Sequence, residues 1–407
     1  MLSQETINTV KSTTSLLAEH GEAITQYFYK RLFELHPELK NVFNQVNQKR
    51  GDQPRALADA VLAYANNLDK IEVLVPVVER IAHKHVSLGI KPEQYPIVGE
   101  NLLAAIQNVL NLPDAHPALL AWEEAYNLLA NIFINTEESI YQANESAEGG
   151  WRGFREFEID KVVTETPEVK SFYLKPTDGK TIPAYSGGQY IGLKVNPENS
   201  EFDEIRQYSL SNKANGKSYR ISVKREDQGK PGIVSNYLHD TLGLGDEVIL
   251  YPPAGDFYLQ DNAKAKVLIS AGVGLTPMQA MLETLIAKQQ TEQEEQADKP
   301  EIHFLHACEN AAQHSFKKRH AEVAQQGKVV NYTWYKADES EAASNSAELF
   351  NGYMDISQVE HQLPLANADF YLCGPVGFMQ FAKQQLVNLG VNNDSIHYEV
   401  FGPHESL

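Results

Sequence analysis

The periodicity of apolar residues changes twice along this chain, and those two changes restrict it to a three-part architecture. Up to about residue 142 the apolar residues recur at helical spacing, as in Leu57-Val61-Tyr64-Leu68, Leu102-Ile106-Val109 and Leu128-Leu129-Ile132-Phe133. Pro37, Pro54, Pro92 and Pro96 stand at expected helix starts or breaks. From Trp151 the pattern turns to short runs rich in β-branched and aromatic residues, at 156–163, 171–174, 190–195, 219–224 and 247–250. Turn residues such as Thr177-Asp178-Gly179 and Ala214-Asn215-Gly216 separate them, which predicts an antiparallel barrel or sandwich. From Lys266 onward, buried-type strands at 266–270, 302–306, 329–335 and 370–373 alternate with helical stretches at 279–289 and 376–389. That alternation predicts a parallel sheet with crossover helices.

The expected organisation is therefore an all-α domain over 1–142, a small polar linker ending in a double glycine over 143–150, an antiparallel β domain over 151–261 and an α/β domain over 262–407. Residues 290–300 and 338–347 read as solvated loops, and no internal repeat is present. A length of 407 residues accommodates such a division, and 42% hydrophobic with 22% charged residues is an ordinary globular mix. Acidic residues outnumber basic ones 54 to 35, for a net charge of −19. A surface of that sign repels phosphate backbones and anionic lipid, so neither nucleic acid nor a stable membrane association is expected. Two cysteines, Cys308 and Cys373, cannot build a disulfide scaffold, a four-cysteine cluster or a zinc ribbon. No charged leader followed by an apolar run opens the chain and no 18-residue apolar stretch occurs, so a cytoplasmic monomer is the expectation.

Two histidines, His83 and His85, close a helical stretch before Gly89 and Pro92. Two residues apart on a helix they diverge by about 200°, so both cannot face one pocket. No Cys-x-x-Cys-His occurs, so any haem is held non-covalently. Tyr29 lies on an early helix, Phe43 follows Pro37 by six residues, and Gln53 and Leu57 share one helix face. His85 comes 32 residues after Gln53, with Tyr95 and Glu137 beyond it. This order resembles the globin domain of flavohaemoglobins, most sharply over 81–95. The resemblance implies a globin fold with His85 as the iron ligand and Phe43 against the porphyrin. Tyr29, Gln53 and Leu57 would line the gas-binding side, with Tyr29 hydrogen-bonding oxygen and Gln53 assisting. It further implies a relay from Tyr95 and Glu137 onto the other ring nitrogen of His85, with Glu138 as the alternative carboxylate. A carboxylate there makes the imidazole more basic and favours oxygen activation over storage.

Arg206-Gln207-Tyr208-Ser209 falls at the start of an expected strand. A guanidinium can clamp phosphate, a tyrosine can stack on a flat ring, and a serine hydroxyl can reach a flavin nitrogen. Gly232-Ile233-Val234-Ser235-Asn236 opens a helical run whose amides can receive a pyrophosphate. Together the two elements resemble the flavin domain of the ferredoxin-reductase family, in which Tyr190 would also contact FAD. A glycine turn, Gly272-Val273-Gly274-Leu275-Thr276-Pro277, follows a buried strand and precedes a helix. Pro277 stands where a dinucleotide fingerprint has its third glycine, so the turn departs from that fingerprint. It matches the ferredoxin-reductase version instead. By the same resemblance Cys373-Gly374-Pro375 lies beside the nicotinamide, with Cys373 as a small structural residue. The terminal Glu399-Val400-Phe401-Gly402-Pro403 would set its aromatic over the flavin. Lys84 and Glu399 would adjust the cofactor potentials by their charge.

Globin, flavin and nicotinamide modules in this order resemble a flavohaemoglobin over essentially the whole chain. The implied cofactors are haem b, FAD and NADH or NADPH, and the implied activity is conversion of NO and O2 to nitrate, a detoxification of nitric oxide. A flavin explains why all three sites share one chain, since hydride arrives as two electrons and haem iron accepts one at a time. Alternative readings are a general reductase acting on alkyl hydroperoxide or ferric iron, and an O2-sensing or storage globin. Glu309, after the second parallel strand, leans towards NADH. Lys317, Lys318 and Arg319 could instead meet a 2′-phosphate.

Overall fold

The computed structural model describes residues 2–43, 52–198, 200–227, 231–291, 301–337 and 348–402. Among the described residues, six helices fill the N-terminal part: α1 (Gln4–Ser12), α2 (Thr14–Leu35), α3 (Asp52–Asn66), α4 (Val75–Leu88), α5 (Gln94–Val109) and α6 (Pro117–Ser146). Local chemistry sets their ends. Ser3 caps α1, its Oγ accepting from the Thr6 amide, and α6 starts with Pro117 behind His116, whose Nδ1 accepts from the Ala118 amide. α2 packs on α3 and α5, while α1, α4 and α5 pack on α6. Phe28, Leu32, Leu102, Ile106 and Trp122 are buried between them. At full burial each such side chain contributes about 1.5–3 kcal/mol. Trp122 keeps its indole N–H satisfied by donating to the Thr13 hydroxyl at 3.0 Å.

The expected linker begins later than its composition suggests. α6 runs through Ser146, because polar residues alone do not end a helix whose ladder is intact, and the Ser146 hydroxyl bonds back to the Gln142 carbonyl. The chain leaves the helix at Ala147, which is extended, and turns at Gly149, whose φ of +73° only glycine adopts readily.

Six antiparallel strands follow: β1 (Arg155–Thr164), β2 (Val169–Pro176), β3 (Tyr190–Val195), β4 (Glu204–Ser209), β5 (Tyr219–Lys224) and β6 (Glu247–Leu250), with helix α7 (Ile233–Asp240) before the last. Their order is β4-β3-β6-β1-β2-β5, and a bridge between Leu210 and Ile221 joins the two edge strands into a barrel. Phe157, Ile159, Phe172, Leu174 and Ile221 fill it. Arg206 to Ser209 occupy the end of β4, not the start of a strand, because pairing begins upstream at Glu204.

The C-terminal part is a parallel sheet of β7 (Ala265–Ala271), β8 (Ile302–Cys308), β9 (Val330–Tyr335), β10 (Glu348–Asn351), β11 (Ala368–Cys373) and β12 (Ile396–Glu399), with helices α8 (Leu275–Thr291), α9 (Lys317–Gln325) and α10 (Val376–Asn388). The order β10-β9-β8-β7-β11-β12 reverses direction between β7 and β11. That switch point opens a crevice at the carboxyl ends of the two strands, where open α/β sheets bind ligands. β10 and β12 escaped the sequence reading: each has only four residues, and neither is an unbroken β-branched or aromatic run. Of the loop expected at 290–300, residues 290 and 291 instead extend α8, whose helical turn continues to Thr291; residues 292–300, the loop expected at 338–347 and Pro403 lie outside the described residues.

By packing, the chain forms two compact units. One comprises 1–154, 192–206 and 250–256; the other comprises 155–191, 207–249 and 257–407. Among the described residues no helix is long and apolar enough to cross a membrane.

Three histidines of the second unit, His306, His314 and His320, are buried and held neutral, with burial pushing His306 and His320 down to about 3. Unfolded histidines take up a proton near pH 6.5, so between about pH 6.5 and 3 the unfolded chain binds more protons than the native one. Stability is therefore expected to fall as pH drops through that window. Urea midpoints followed by circular dichroism should decrease from pH 7.5 to pH 5 with proton uptake on unfolding; a flat profile would contradict the burial of neutral rings.

Candidate functional site

His85 occupies the last turn of α4. Gly89 ends that helix in the left-handed region (φ +71°), and the Ile90 amide returns to the His85 carbonyl at 3.1 Å, fixing the backbone beneath the ring. Nδ1 of His85 lies 2.6 Å from Oε1 of Glu137 and 3.1 Å from the Tyr95 hydroxyl, which donates to the same carboxylate oxygen. The Glu137 side chain is 3% exposed, whereas that of His85 is 30% exposed. A carboxylate only accepts, so Nδ1 of His85 carries the proton, and in the neutral ring the lone pair lies on Nε2. Burial, reinforced by the Glu137 charge, drives the Tyr95 phenol far above its usual range and keeps it a donor.

The neighbouring residue on α6 makes a different contact. Glu138 points the other way and pairs with Arg152, which holds its carboxyl at about 2. Tyr95 is itself anchored, its carbonyl accepting from the Tyr126 hydroxyl at 2.6 Å. His83 is half-buried, and its Nδ1 has no partner among the described residues. Burial holds it below the usual histidine range.

Tyr29 on α2 is buried in an aromatic group, edge-on to Phe28 at 4.8 Å and to Phe43 at 5.8 Å, and stacked with Phe33 at 5.9 Å between ring centres. Phe43 and Leu57 pack on the same core cluster as Tyr29. Gln53 and Leu57 lie on α3, the helix packed against α2. The amide oxygen of Gln53 is buried with no partner among the described residues, at a cost of about 1–3 kcal/mol that a bound polar ligand removes. Lys84 is half-buried. The sequence reading missed a cavity of about 330 Å³ in this unit, walled by Leu39, Val42, Leu88 and Ile97 with Lys194, Asp203 and Tyr251. Its lining comes from segments far apart in the chain and carries no local motif.

On β4, strand alternation sends Arg206 and Tyr208 to one face and Gln207 and Ser209 to the other. The Arg206 guanidinium pairs with Glu204 at 2.9 Å and donates to the Ile205 carbonyl at 2.7 Å. Tyr190, buried, opens β3. Gly232 caps α7 without a side-chain hydrogen bond, Val234 is buried beneath it, and the Ser235 hydroxyl accepts from the Glu226 amide at 3.3 Å. The first-turn amides of α7 thus carry no side-chain cap, the condition for anion binding.

At the switch point the expected nucleotide residues converge. Gly272, Val273 and Gly274 form a single tight turn after β7, and Leu275, Thr276 and Pro277 start α8. A Cβ on Gly274 would stand 2.3 Å from the Cys373 carbonyl oxygen and 2.5 Å from the Gly374 amide nitrogen, so the two loops touch backbone to backbone. Register pairs Cys373 with Ser270 on one side and with Glu399 on the other. That brings the turn, Gly374-Pro375 and the segment Glu399, Val400, Phe401 and Gly402 to one edge. Phe401 is 47% exposed there. Cys373 is fully buried, and burial pushes its thiol far up, so it packs and does not react. Arg319, one of three basic residues set against a 2′-phosphate, is gripped by both carboxylate oxygens of Glu283.

Comparison with known proteins agrees with this arrangement. A globin family model matches residues 26–133, and an oxidoreductase NAD-binding domain model matches residues 268–384. The flavohemoprotein of Vibrio cholerae serotype O1 is 48% identical over 412 residues, covering 100% of both chains. The crystal structure of flavohemoglobin from Malassezia yamatoensis with bound FAD and heme superposes with a TM-score of 0.84 at 27% identity, over 98% of this chain and 100% of that one. The FAD/NAD binding domain of nitric oxide dioxygenase from Vibrio cholerae O1 biovar El Tor matches 61% of this chain and 99% of its own, with 46% identity and a TM-score of 0.54. With two domain models in sequence and a full-length relative at 48% identity, the chain belongs to the flavohemoprotein family.

Proposed function

We propose that this chain is an NAD(P)H-dependent nitric oxide dioxygenase, built as a haem module over 1–142, an FAD module over 151–261 and a nicotinamide module over 262–407. The observation that carries the reading is the His85–Glu137–Tyr95 constellation. Its Nδ1 proton is committed to a buried carboxylate, and its Nε2 lone pair is free for a metal. Phe43 would pack against haem b, while Tyr29, Gln53 and Leu57 would line the side that meets the gaseous substrates. The unsatisfied Gln53 oxygen and the apolar surroundings of Tyr29 fit such a ligand. Arg206, Gln207, Tyr208 and Ser209, with Tyr190, Gly232, Val234 and Ser235, would hold FAD. The turn 272–277 and Cys373 to Pro375 would hold the nicotinamide nucleotide, with Phe401 over the flavin and the charge of Glu399 beside it. FAD held there would supply the exchange between hydride and single electrons, and haem held by His85 would supply the redox chemistry with NO and O2.

The chain's own groups then have defined tasks. Glu137 holds the Nδ1 proton of His85 and raises the electron-donating power of the ring. Tyr95 fixes that carboxylate by donating to it. Tyr29 offers a hydroxyl to the substrate, and the aromatic wall around it excludes water. The relative with 46% identity over the reductase half, a nitric oxide dioxygenase, supports the same activity. The test is nitric oxide decay at an electrode in aerobic buffer, with haem- and FAD-loaded protein and NADH. One nitrate per nitric oxide is expected; NADH oxidation without nitrate would move the assignment to a general reductase. Tyr29→Phe should speed O2 dissociation about tenfold, the upper range for one lost hydrogen bond, with NADH-to-flavin transfer unchanged. An unaltered O2 off-rate would remove Tyr29 from this scheme.

A further inference from the structure

Three of the buried histidines of the parallel-sheet unit, His306, His314 and His320, lie outside every site described above. Ser270 stands two residues before Gly272, and its hydroxyl is 2.9 Å from Nδ1 of His306. The His306 ring leans on that of His314, with centres 4.8 Å apart and planes tilted by 40°. Nε2 of His314 lies 3.1 Å from Nδ1 of His320, and Nε2 of His320 lies 2.8 Å from Oε1 of Gln279, five residues after Gly274. Ser270 and Gln279 are both 0% exposed. The histidines therefore span from the strand before the glycine turn to the helix after it.

The direction of every proton in the run follows from its far end. Glu283 is gripped by Arg319 through Nε at 2.8 Å and Nη2 at 2.9 Å, so it is an ionised acceptor. It takes a hydrogen bond from Nε2 of Gln279 at 3.0 Å, which turns the amide oxygen of Gln279 towards His320. His320 must then donate from Nε2 and, being neutral, accept at Nδ1. His314 donates to it from Nε2 and accepts at Nδ1 from the Tyr335 hydroxyl, 3.0 Å away. Burial keeps both rings neutral. Both nitrogens of each ring are spent, so the pair is no metal site. Among the described residues no cluster suited to a metal ion occurs.

We propose that this one-way run, Tyr335 to His314 to His320 to Gln279 to Glu283, is a positioning network that clamps the 272–277 turn for binding of the nicotinamide nucleotide. Neutral polar groups in a dry interior cost free energy unless all are paired, and here the pairing is satisfied only in one relative placement of β9, α9 and α8. The helix that begins with the turn is thereby held to one position. The proposal rests on the reading of that turn as the nucleotide site.

The experiment uses full-length, haem- and FAD-loaded protein, with NADH as the probe. Gln279→Met keeps the side-chain length and removes both hydrogen bonds. The KM for NADH in flavin reduction is expected to rise about two- to tenfold, the span of one or two lost buried hydrogen bonds, with kcat at saturating NADH within about twofold of the parent. A purely structural role would lower thermal stability and leave KM alone. Tyr335→Phe, isosteric at the other end, should move KM in the same direction and covers the case in which Gln279→Met does not fold. Nitrogen NMR of labelled histidines should find His314 and His320 both protonated at Nε2. Unchanged KM in both folded variants, or an Nδ1–H form for either ring, overturns the network. Failure of NADH to reduce the flavin of the parent protein overturns the nucleotide reading instead.

Discussion

His85→Ala is expected to lower nitric oxide consumption more than about 100-fold while NADH continues to reduce the flavin at the parental rate. Loss of a group that only orients a metal-binding histidine costs about 10–100-fold, and loss of the histidine itself exceeds that. Glu137→Gln supplies the internal scale. Its amide can still accept from Nδ1 but carries no charge, so activity should fall within the 10–100-fold range with haem retained. The Soret absorbance of the purified protein separates the two: near absent for His85→Ala, present for Glu137→Gln. His83→Ala is the control, since its side chain points about 200° away around the same helix and makes no contact with Glu137 or Tyr95 in the relay. Wild-type Soret intensity in His85→Ala would remove His85 as ligand, and haem loss in His83→Ala would transfer the role to it.

The helical, antiparallel and parallel parts of the fold and most strand cores were legible because each rests on a repeating pattern spread over many residues. The order of Tyr29, Gln53, His85, Tyr95 and Glu137 was legible only through resemblance, since each is unremarkable alone. Which glutamate meets His85 depends on helix phase. Glu137 and Glu138 differ by about 100° around α6, and the neighbour Arg152 claims the one facing outward. The histidine network was invisible for a different reason. Ser270, Gln279, His314, His320 and Tyr335 come from two strands, two helices and a loop, with no spacing rule linking them. The contact between Gly274 and the Cys373–Gly374 backbone is likewise a property of strand order, because only the β7–β11 adjacency brings the two loops together. Both glycine-bearing motifs announce a close approach, but neither names its partner.

That adjacency makes Gly274→Ala the second large effect. An added methyl would sit 2.3–2.5 Å from Cys373 and Gly374 backbone atoms, distances that real Cβ atoms do not adopt, and a backbone cannot swing aside as a side chain does. Relief requires β7 and β11 to part at their carboxyl ends, where Cys373 is paired with both Ser270 and Glu399. Overpacking of this kind costs about 1–3 kcal/mol of stability. The larger consequence is geometric, since the switch point is widened at the edge proposed to hold the nicotinamide nucleotide. Flavin reduction by NADH should slow at least about tenfold, equivalent to about 1.4 kcal/mol of lost transition-state binding. Soret intensity and carbon monoxide binding after chemical reduction should stay at parental values, the reverse of the His85→Ala pattern. Gly272→Ala calibrates the result. Gly272 has φ +53° and open space around its Cβ, so alanine there bears only the backbone strain of about 1–2 kcal/mol without a collision. A milder defect for Gly272→Ala than for Gly274→Ala locates the effect in the loop contact. Equal defects would assign it to the turn alone, and a parental rate in Gly274→Ala would show that nucleotide binds elsewhere than at this edge.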